Sequence, residues 1–204
     1  QGPRDDSAYD SVHREALGIF YAIHRNVSKN SPMAELAYSP GDAYRLKKKK
    51  KIAAFIGLEN GYPLGTGLDR IKEYYDLGAR YITLCHSSNN DICDSSTDPR
   101  GPEHNGLSAF GEEVVKEMNR LGMMIDVSHI SDEAFFDVIN TSKAPVIASH
   151  SSSRALCSSP RNLSDEMLLS LKSNGGVIQI CILSSYLKTR EPNPELEEKL
   201  KELS

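Results

Sequence analysis

Apolar residues recur at helical spacing along the first part of the chain. Within residues 8–27 they occupy one stripe, which consists of Val12, Ala16, Ile19, Phe20, Ile23 and Val27. Because this spacing places apolar side chains on one face of a helix, we predict an amphipathic α-helix here. A turn at Asn30-Ser31-Pro32 then precedes a second predicted helix at about 33–48, which the sequence Ser39-Pro40-Gly41-Asp42 interrupts.

Five short apolar runs follow, and each has the length of a β-strand. They are residues 52–58, 80–85, 123–128, 145–149 and 177–181. Helix-length segments separate them, and three of these segments begin at a serine suited to capping a helix, namely Ser108, Ser131 and Ser164. Apolar strands that alternate with helices are typical of a parallel sheet covered on both faces, so we predict an α/β fold.

Chemically capable side chains follow four successive strands. Glu59, His86, His129 and His150 each come directly after the apolar part of a run. Functional groups at the carboxyl ends of several strands are the arrangement of a (β/α)₈ barrel, whereas open sheets bind through glycine-rich loops such as Gly-x-Gly-x-x-Gly, which this sequence lacks. We therefore predict a (β/α)₈ TIM-type barrel of the metal-dependent hydrolase kind, with about five of its eight strands in this chain.

The predicted barrel divides the chain into three regions. Residues 1–51 form an N-terminal helical segment in the outer layer of the barrel, residues 52–186 form consecutive βα units, and residues 187–204 form a polar, helical C-terminal segment. A complete barrel needs about 250 residues. We therefore expect this chain of 204 residues to be part of a longer barrel.

Composition narrows the range of functions. The chain is 39% hydrophobic and 25% charged with a formal net charge of −4, which suits a globular domain without a basic surface for nucleic acid. The lysines at Lys47–Lys51 lie at a predicted helix end, where the helix dipole favours cations. The apolar runs are too short to span a membrane. Four cysteines without a Cys-x-x-Cys pair indicate neither a disulfide framework nor a zinc knuckle.

The strand-end residues point to metal chemistry. A carboxylate with two neutral imidazoles is a normal zinc ligand set, and Glu59, His129 and His150 provide one. Any one of these residues alone could be a cap partner or a hydrogen-bonded core residue, but their occurrence at successive strands favours a shared site. Asp126 could orient a ligand histidine or form a buried structural hydrogen bond, and both interpretations stay open.

Two loops complete the candidate chemistry. The polar stretch from Ser87 to Leu107 has a length typical of lids and binding loops. Its aspartates do not match the calcium-loop spacing, so we interpret them as turn formers, and we interpret His104 as solvated rather than liganding. Arg161 could reach over the rim to clamp a carboxylate, or it could lie at the surface near the next helix.

Six ordered sequence blocks carry a resemblance to a known family. They are Gly57–Gly61, Gly78–His86, Asn105–Ser108, Ile125–His129, Ala148–Ser151 and Pro160–Asn162, and the similarity runs from about Ile52 to Tyr186. In these blocks the chain resembles the zinc dipeptidases typified by membrane (renal) dipeptidase, as a bacterial-type member. The resemblance implies a (β/α)₈ barrel with two Zn²⁺ ions that are bridged by a glutamate and a water or hydroxide.

The resemblance also implies roles for the strand-end residues. Glu59 matches the bridging carboxylate, His129 and His150 match two imidazoles on one zinc, and His86 matches a histidine that binds substrate and stabilises the tetrahedral oxyanion. Two family features are not found in this sequence. The first is a His-x-Asp pair on the first strand, which binds the other zinc, and the second is a last-strand aspartate that handles the proton of the water.

The resemblance further implies a substrate. Arg161 matches the arginine that holds the terminal carboxylate of a dipeptide, and Tyr186 matches a pocket tyrosine. The expected function is zinc-dependent hydrolysis of dipeptides by a metal-bridging water. The alternatives are another amidohydrolase-type barrel hydrolase, or a catalytically incomplete fragment or binding module. An extracytoplasmic location, periplasmic or at the cell envelope, and a homodimer are further expectations.

Overall fold

The computed structural model describes residues 2–189 together with Asn193 and Lys199. Within these residues the helices are α1 (Asp6–Lys29), α2 (Pro40–Lys48), α3 (Asp69–Asp76), α4 (Ala109–Leu121), α5 (Asp132–Thr141), α6 (Asp165–Asn174) and α7 (Ser184–Leu187). The strands are β1 (Ala34–Leu36), β2 (Ile52–Ala54), β3 (Ile56–Glu59), β4 (Ala79–Thr83), β5 (Met124–Asp126), β6 (Ile147–Ser151) and β7 (Val177–Ile180). Most of the predicted C-terminal segment 187–204 lies outside the described residues.

The main sheet contains five parallel strands in chain order, β3-β4-β5-β6-β7. A helix connects each strand from β4 onward to the next, which is the repeating unit of a (β/α)₈ barrel. Among the described residues the outer strands β3 and β7 each have one neighbour in this sheet, so the sheet is open. The predicted fold class is confirmed as an unclosed part of a barrel.

The prediction of one helix across residues 33–48 is wrong in its first part. Residues Ala34–Leu36 form β1, which pairs in parallel with β2, and the helix begins only at Pro40. The side chain of Ser39 caps α2 by accepting a hydrogen bond from the backbone N–H of Asp42 at 3.2 Å. Proline disfavours helical geometry in the preceding residue, so the helix could not extend through Ser39.

The predicted strand at 52–58 is divided into two. Its first part, β2, pairs with β1 in a separate two-stranded sheet, and its second part, β3, forms the edge of the main sheet. Phe55 lies between them and is 41% exposed, so the run is not buried throughout. The division arises because the two parts pair with different strands, β2 with β1 and β3 with β4, and not from local hydrophobicity.

The helix ends follow the sequence closely. Ser108, Ser131 and Ser164 cap α4, α5 and α6, and each side chain accepts a hydrogen bond from a backbone N–H of the first turn. Gly122 and Gly175 end α4 and α6 in the left-handed conformation, with φ of 75° and 79°. These caps place the start of each following strand.

The core lies between the main sheet and its helices. Ile82, Ile125 and Ala148 point from three neighbouring strands toward buried Val114 and Phe135 on α4 and α5. Each fully buried large apolar side chain contributes roughly 1.5–3 kcal/mol to folding. The opposite face of the sheet is less covered by the described residues, since its Met124 and Val177 are 40% and 57% exposed.

Candidate metal centre

The carboxyl ends of the central strands bring the predicted site residues together. Glu59 is the last residue of β3, and His150 lies within β6. His86 and His129 lie in the loops that follow β4 and β5. Because the strands are parallel, their carboxyl ends meet at one edge, and all four side chains converge there.

The distances define a compact cluster. The Oε1 atom of Glu59 lies 3.3 Å from Nε2 of His129 and 3.3 Å from Nε2 of His150. The two Nε2 atoms are 2.8 Å apart, and one ligand atom from each of the three residues lies within 4.8 Å of the others. His86 lies at the border, with its Nε2 3.7 Å from Glu59 Oε1.

The charge state of His129 suits a metal ligand. Burial, together with the nearby cationic guanidinium of Arg161, lowers the pKa of His129 to about 2. The imidazole is therefore neutral near pH 7, so its contact with Glu59 is not an ion pair. Neutral imidazole nitrogens beside a carboxylate oxygen form the donor set that Zn²⁺ prefers, and these three residues fit a divalent metal.

Two residues of the site region have a left-handed backbone conformation, which residues other than glycine rarely adopt. His129 has φ of 76°, and Asn60, directly after Glu59, has φ of 80°. The carbonyl of His129 accepts a hydrogen bond from the backbone N–H of Ser96 at 2.8 Å, and the side-chain oxygen of Asn60 accepts one from the backbone N–H of Tyr62 at 3.1 Å. Such strained conformations persist where the surrounding structure holds them, and they cluster at functional sites.

A buried carboxylate lies beneath the histidines. Asp126, at the end of β5, accepts hydrogen bonds from the backbone N–H groups of Ser128 (3.0 Å) and Ser149 (2.9 Å). It also accepts from the hydroxyls of Thr83 (2.6 Å) and Ser149 (2.5 Å). The sequence alone points to Asp126 as a candidate but does not point to Ser149 or Thr83 as its partners. The repeated Ser-His pair at the ends of β5 and β6 was the one available signal for Ser149.

The predicted substrate residues lie next to this cluster. Arg161 is 6% exposed, and its Nη2 donates to the carbonyl of His150 at 3.2 Å. Its guanidinium lies 5.4 Å from the ring centroid of Tyr186, and its Nε is buried without a hydrogen-bond partner in the described part of the chain. The structure therefore joins all six predicted site residues, while their individual roles stay predictions.

The other histidines lie outside the cluster. His104 contacts the carbonyl of Asn90 through Nε2 at 2.8 Å. In the same loop Asp94 is buried, and its carboxylate accepts hydrogen bonds from the backbone N–H groups of Glu103, His104 and Gly106. Asp94 thus organises the long loop, over a wider span than the local turn expected from the sequence.

The fold and the cluster together define a barrel-type α/β protein with a candidate metal centre at the carboxyl ends of its strands. Residues 3–203 match the family described as membrane dipeptidase (peptidase family M19). The chain belongs to this family, and the predicted resemblance is confirmed.

Individual relatives agree with the family match. The chain is 36% identical over 187 residues to dipeptidase tcpJ of Claviceps purpurea (strain 20.1), which covers 92% of this chain and 44% of that protein. It is 40% identical over 167 residues to dipeptidase 3 of Rattus norvegicus, which covers 80% of this chain and 34% of that protein. The chain therefore spans half or less of the length of these relatives.

A solved structure shows the same fold. The crystal structure of the probable dipeptidase PvdM from Pseudomonas aeruginosa superimposes with a TM-score of 0.86 and 35% sequence identity. The match covers 96% of this chain and 50% of that one.

In the described part of this chain, no helix combines the length and the apolar character that a membrane crossing requires.

Proposed function

We propose that this chain is the metal-binding and substrate-binding part of a zinc-dependent dipeptidase. The observation that carries the proposal is the convergence of Glu59, His129 and His150, with the buried guanidinium of Arg161 beside them. A metal ligand set next to a buried cation that has no carboxylate partner among the described residues suits a short substrate that offers both a scissile carbonyl and a free carboxylate. The relatives named as dipeptidases support this choice of substrate.

Metal binding falls to the three clustered residues. His129 and His150 would hold one Zn²⁺, and Glu59 would bridge it to a second Zn²⁺ in the intact protein. When bound, the metal would lower the pKa of a water toward neutrality and polarise the scissile carbonyl. The further ligands of the second ion would be the His-x-Asp pair of the family, which these 204 residues do not contain.

Substrate binding would fall to Arg161 and His86. The Arg161 guanidinium is planar, and it could hold the terminal carboxylate of a dipeptide through two parallel hydrogen bonds. Tyr186 stacks near it and would line the same pocket. His86 is about half exposed at the border of the cluster, where its imidazole could donate a hydrogen bond to the oxyanion that develops on the substrate carbonyl.

The first prediction tests the role of Arg161. In the full-length protein, Arg161→Ala should raise KM for a dipeptide by roughly 30-fold or more, because a charge-assisted hydrogen-bonded contact contributes about 2 kcal/mol or more. Steady-state kinetics measures the effect. The matched control is Arg120→Ala on α4, where the arginine forms an exposed ion pair with Glu117. An unchanged KM in Arg161→Ala would remove the proposed carboxylate contact.

A second candidate function is a metal-binding module without catalysis. The observation that favours it is that this sequence lacks the His-x-Asp pair, so that one metal position keeps only Glu59. Elemental analysis of the full-length protein separates the two, since about two zinc ions per molecule support the enzyme and one or none supports the module. Parallel assays with a lactone, a cyclic amide and a phosphoester separate a dipeptidase from another amidohydrolase-type barrel enzyme. An extracytoplasmic location and a homodimer stay predictions.

A further inference from the structure

One hydroxyl links the buried carboxylate of Asp126 to a candidate metal ligand. The Oγ of Ser149 lies 2.5 Å from Oδ2 of Asp126 and 2.8 Å from Nδ1 of His150. Ser149 and His150 are adjacent in β6, whereas Asp126 comes from the neighbouring strand β5. A carboxylate, a hydroxyl and an imidazole thus form a continuous chain of hydrogen bonds that ends at the metal cluster.

The direction of these hydrogen bonds follows from counting protons. Four donors surround the Asp126 carboxylate, which is fully buried and can only accept when ionised. Ser149 has one hydroxyl proton, and the short contact to the carboxylate takes it. The same oxygen can then only accept at its contact with His150, so Nδ1 of His150 must carry the proton.

The consequence lies at the other nitrogen of the ring. A neutral imidazole with its proton on Nδ1 has a lone pair on Nε2. Nε2 of His150 is the atom that lies 3.3 Å from Glu59 and 2.8 Å from His129 Nε2. In the metal-free protein, the proton between the two Nε2 atoms must therefore belong to His129.

We propose that Asp126 and Ser149 are positioning residues that hold His150 in the Nδ1-protonated tautomer, with the Nε2 lone pair directed at the metal position. The hydrogen-bond geometry does not depend on the proposed hydrolase activity, while the consequence for metal affinity rests on the proposed function. The same carboxylate also binds the backbone N–H of Ser128, whose hydroxyl accepts from the backbone N–H of His150 at 3.1 Å. Asp126 thus orders both Ser-His pairs.

His129 provides an internal contrast. Its Nδ1 is buried without a hydrogen-bond partner among the described residues, so its tautomer is set at Nε2, by the contacts with His150 and Glu59. Loss of the Ser149 hydroxyl should therefore change the tautomer of His150 first.

The test compares Ser149→Ala with the wild-type full-length protein. Long-range ¹H–¹⁵N spectra of the metal-free protein report which ring nitrogen carries the proton, with the His150 signals assigned from a His150→Ala variant. Wild type should show Nδ1 protonation at His150, and Ser149→Ala should shift the population toward Nε2 protonation. Co²⁺ affinity, followed by visible absorption, should fall about 10–100-fold, as for other partners of ligand histidines.

Two variants separate positioning from structure. Ser149→Thr keeps a hydroxyl and should restore the tautomer and most of the Co²⁺ affinity. Ser152→Ala is the matched control, because Ser152 is also buried in this region but donates to the carbonyl of Cys181 instead. In Ser152→Ala, the His150 tautomer and the Co²⁺ affinity should match those of the wild type.

The outcomes are distinct. Nε2 protonation of His150 in the wild type would overturn the proposal, even if Ser149→Ala failed to fold. An unchanged tautomer and Co²⁺ affinity in a folded Ser149→Ala would overturn it too. A protein that shows the expected tautomer shift but does not hydrolyse dipeptides would leave the positioning role intact and contradict only the proposed function.

Discussion

The candidate metal centre has two halves that differ in exposure. The inner half, His129 and His150, has side chains that are 7% and 31% exposed. The outer half, Glu59 and His86, has side chains that are 53% and 48% exposed. Within the inner half, Ser149 and Ser128 form hydrogen bonds with His150, and Asp126 holds both serines, while His129 is held by burial. The imidazole of His86 instead has a hydrogen bond with the hydroxyl of neighbouring Ser87 at 3.0 Å.

The position of the strands explains this difference for Glu59. His86 follows β4, which has neighbours on both sides, and its side chain is exposed all the same. β5 and β6 have neighbours on both sides, so groups at their ends are removed from water and held by several partners. β3 is an edge strand among the described residues, and Glu59 at its end stays solvated. The comparison indicates that the protein pre-organises the two imidazoles and leaves the carboxylate and His86 free to adapt.

The largest expected effect is on metal affinity. His129→Ala removes a pre-organised ligand and should weaken Zn²⁺ binding by more than about 100-fold, beyond the loss seen for partners outside the ligand shell. His86→Ala should weaken it by less than about fivefold, or about 1 kcal/mol, because His86 is expected to contact substrate rather than metal. Competition with a chelator measures both. Equal losses in the two variants would erase the distinction between the halves.

A smaller effect is expected on stability. Asp126→Asn should lower the free energy of unfolding of the metal-free protein by roughly 2–3 kcal/mol, because an amide cannot accept from all four donors around a buried carboxylate. Urea denaturation measures the change. Asp76→Asn is the control, since Asp76 forms an exposed pair with Lys72 and such pairs contribute at most about 1 kcal/mol. A loss no greater than in this control would show that the inner half is not held as described.

The smallest effect is expected in the outer half. Glu59→Gln should change the free energy of unfolding of the metal-free protein by no more than about 0.5 kcal/mol, because the side chain is solvated. Thermal or urea unfolding of the metal-free variant checks this value. Destabilisation near that of Asp126→Asn would mean that Glu59 supports the fold, and the two halves would then be alike.

Much of this site could be predicted because its residues follow the apolar runs of successive strands. Glu59, His86, His129 and His150 each end an apolar run, and parallel strands must bring such positions to one edge. The family assignment rested on the same blocks and is confirmed by the match over residues 3–203. The roles of the individual residues stay predictions that the variants above would test.

The errors lay where pairing partners are distant in sequence. Residues Ala34–Leu36 were predicted to be helical, but they form β1 because Ile52–Ala54 offers a parallel partner. The same pairing of β1 with β2 divides the strand predicted at 52–58, because it places Ile52–Ala54 in a separate sheet. Local composition around residue 34 contains no sign of a partner so far along the chain.

The sequence by itself determined the helices with their serine and glycine caps, the alternation with strands, and the identity of the strand-end groups. These features depend on spacing and on contacts within a few residues. Only the tertiary structure decided that Asp126 meets Ser149, 23 residues away, and that Arg161 is buried beside His150. Such contacts depend on strand register and burial, which arise from the packing of distant segments and leave no periodic trace along the chain.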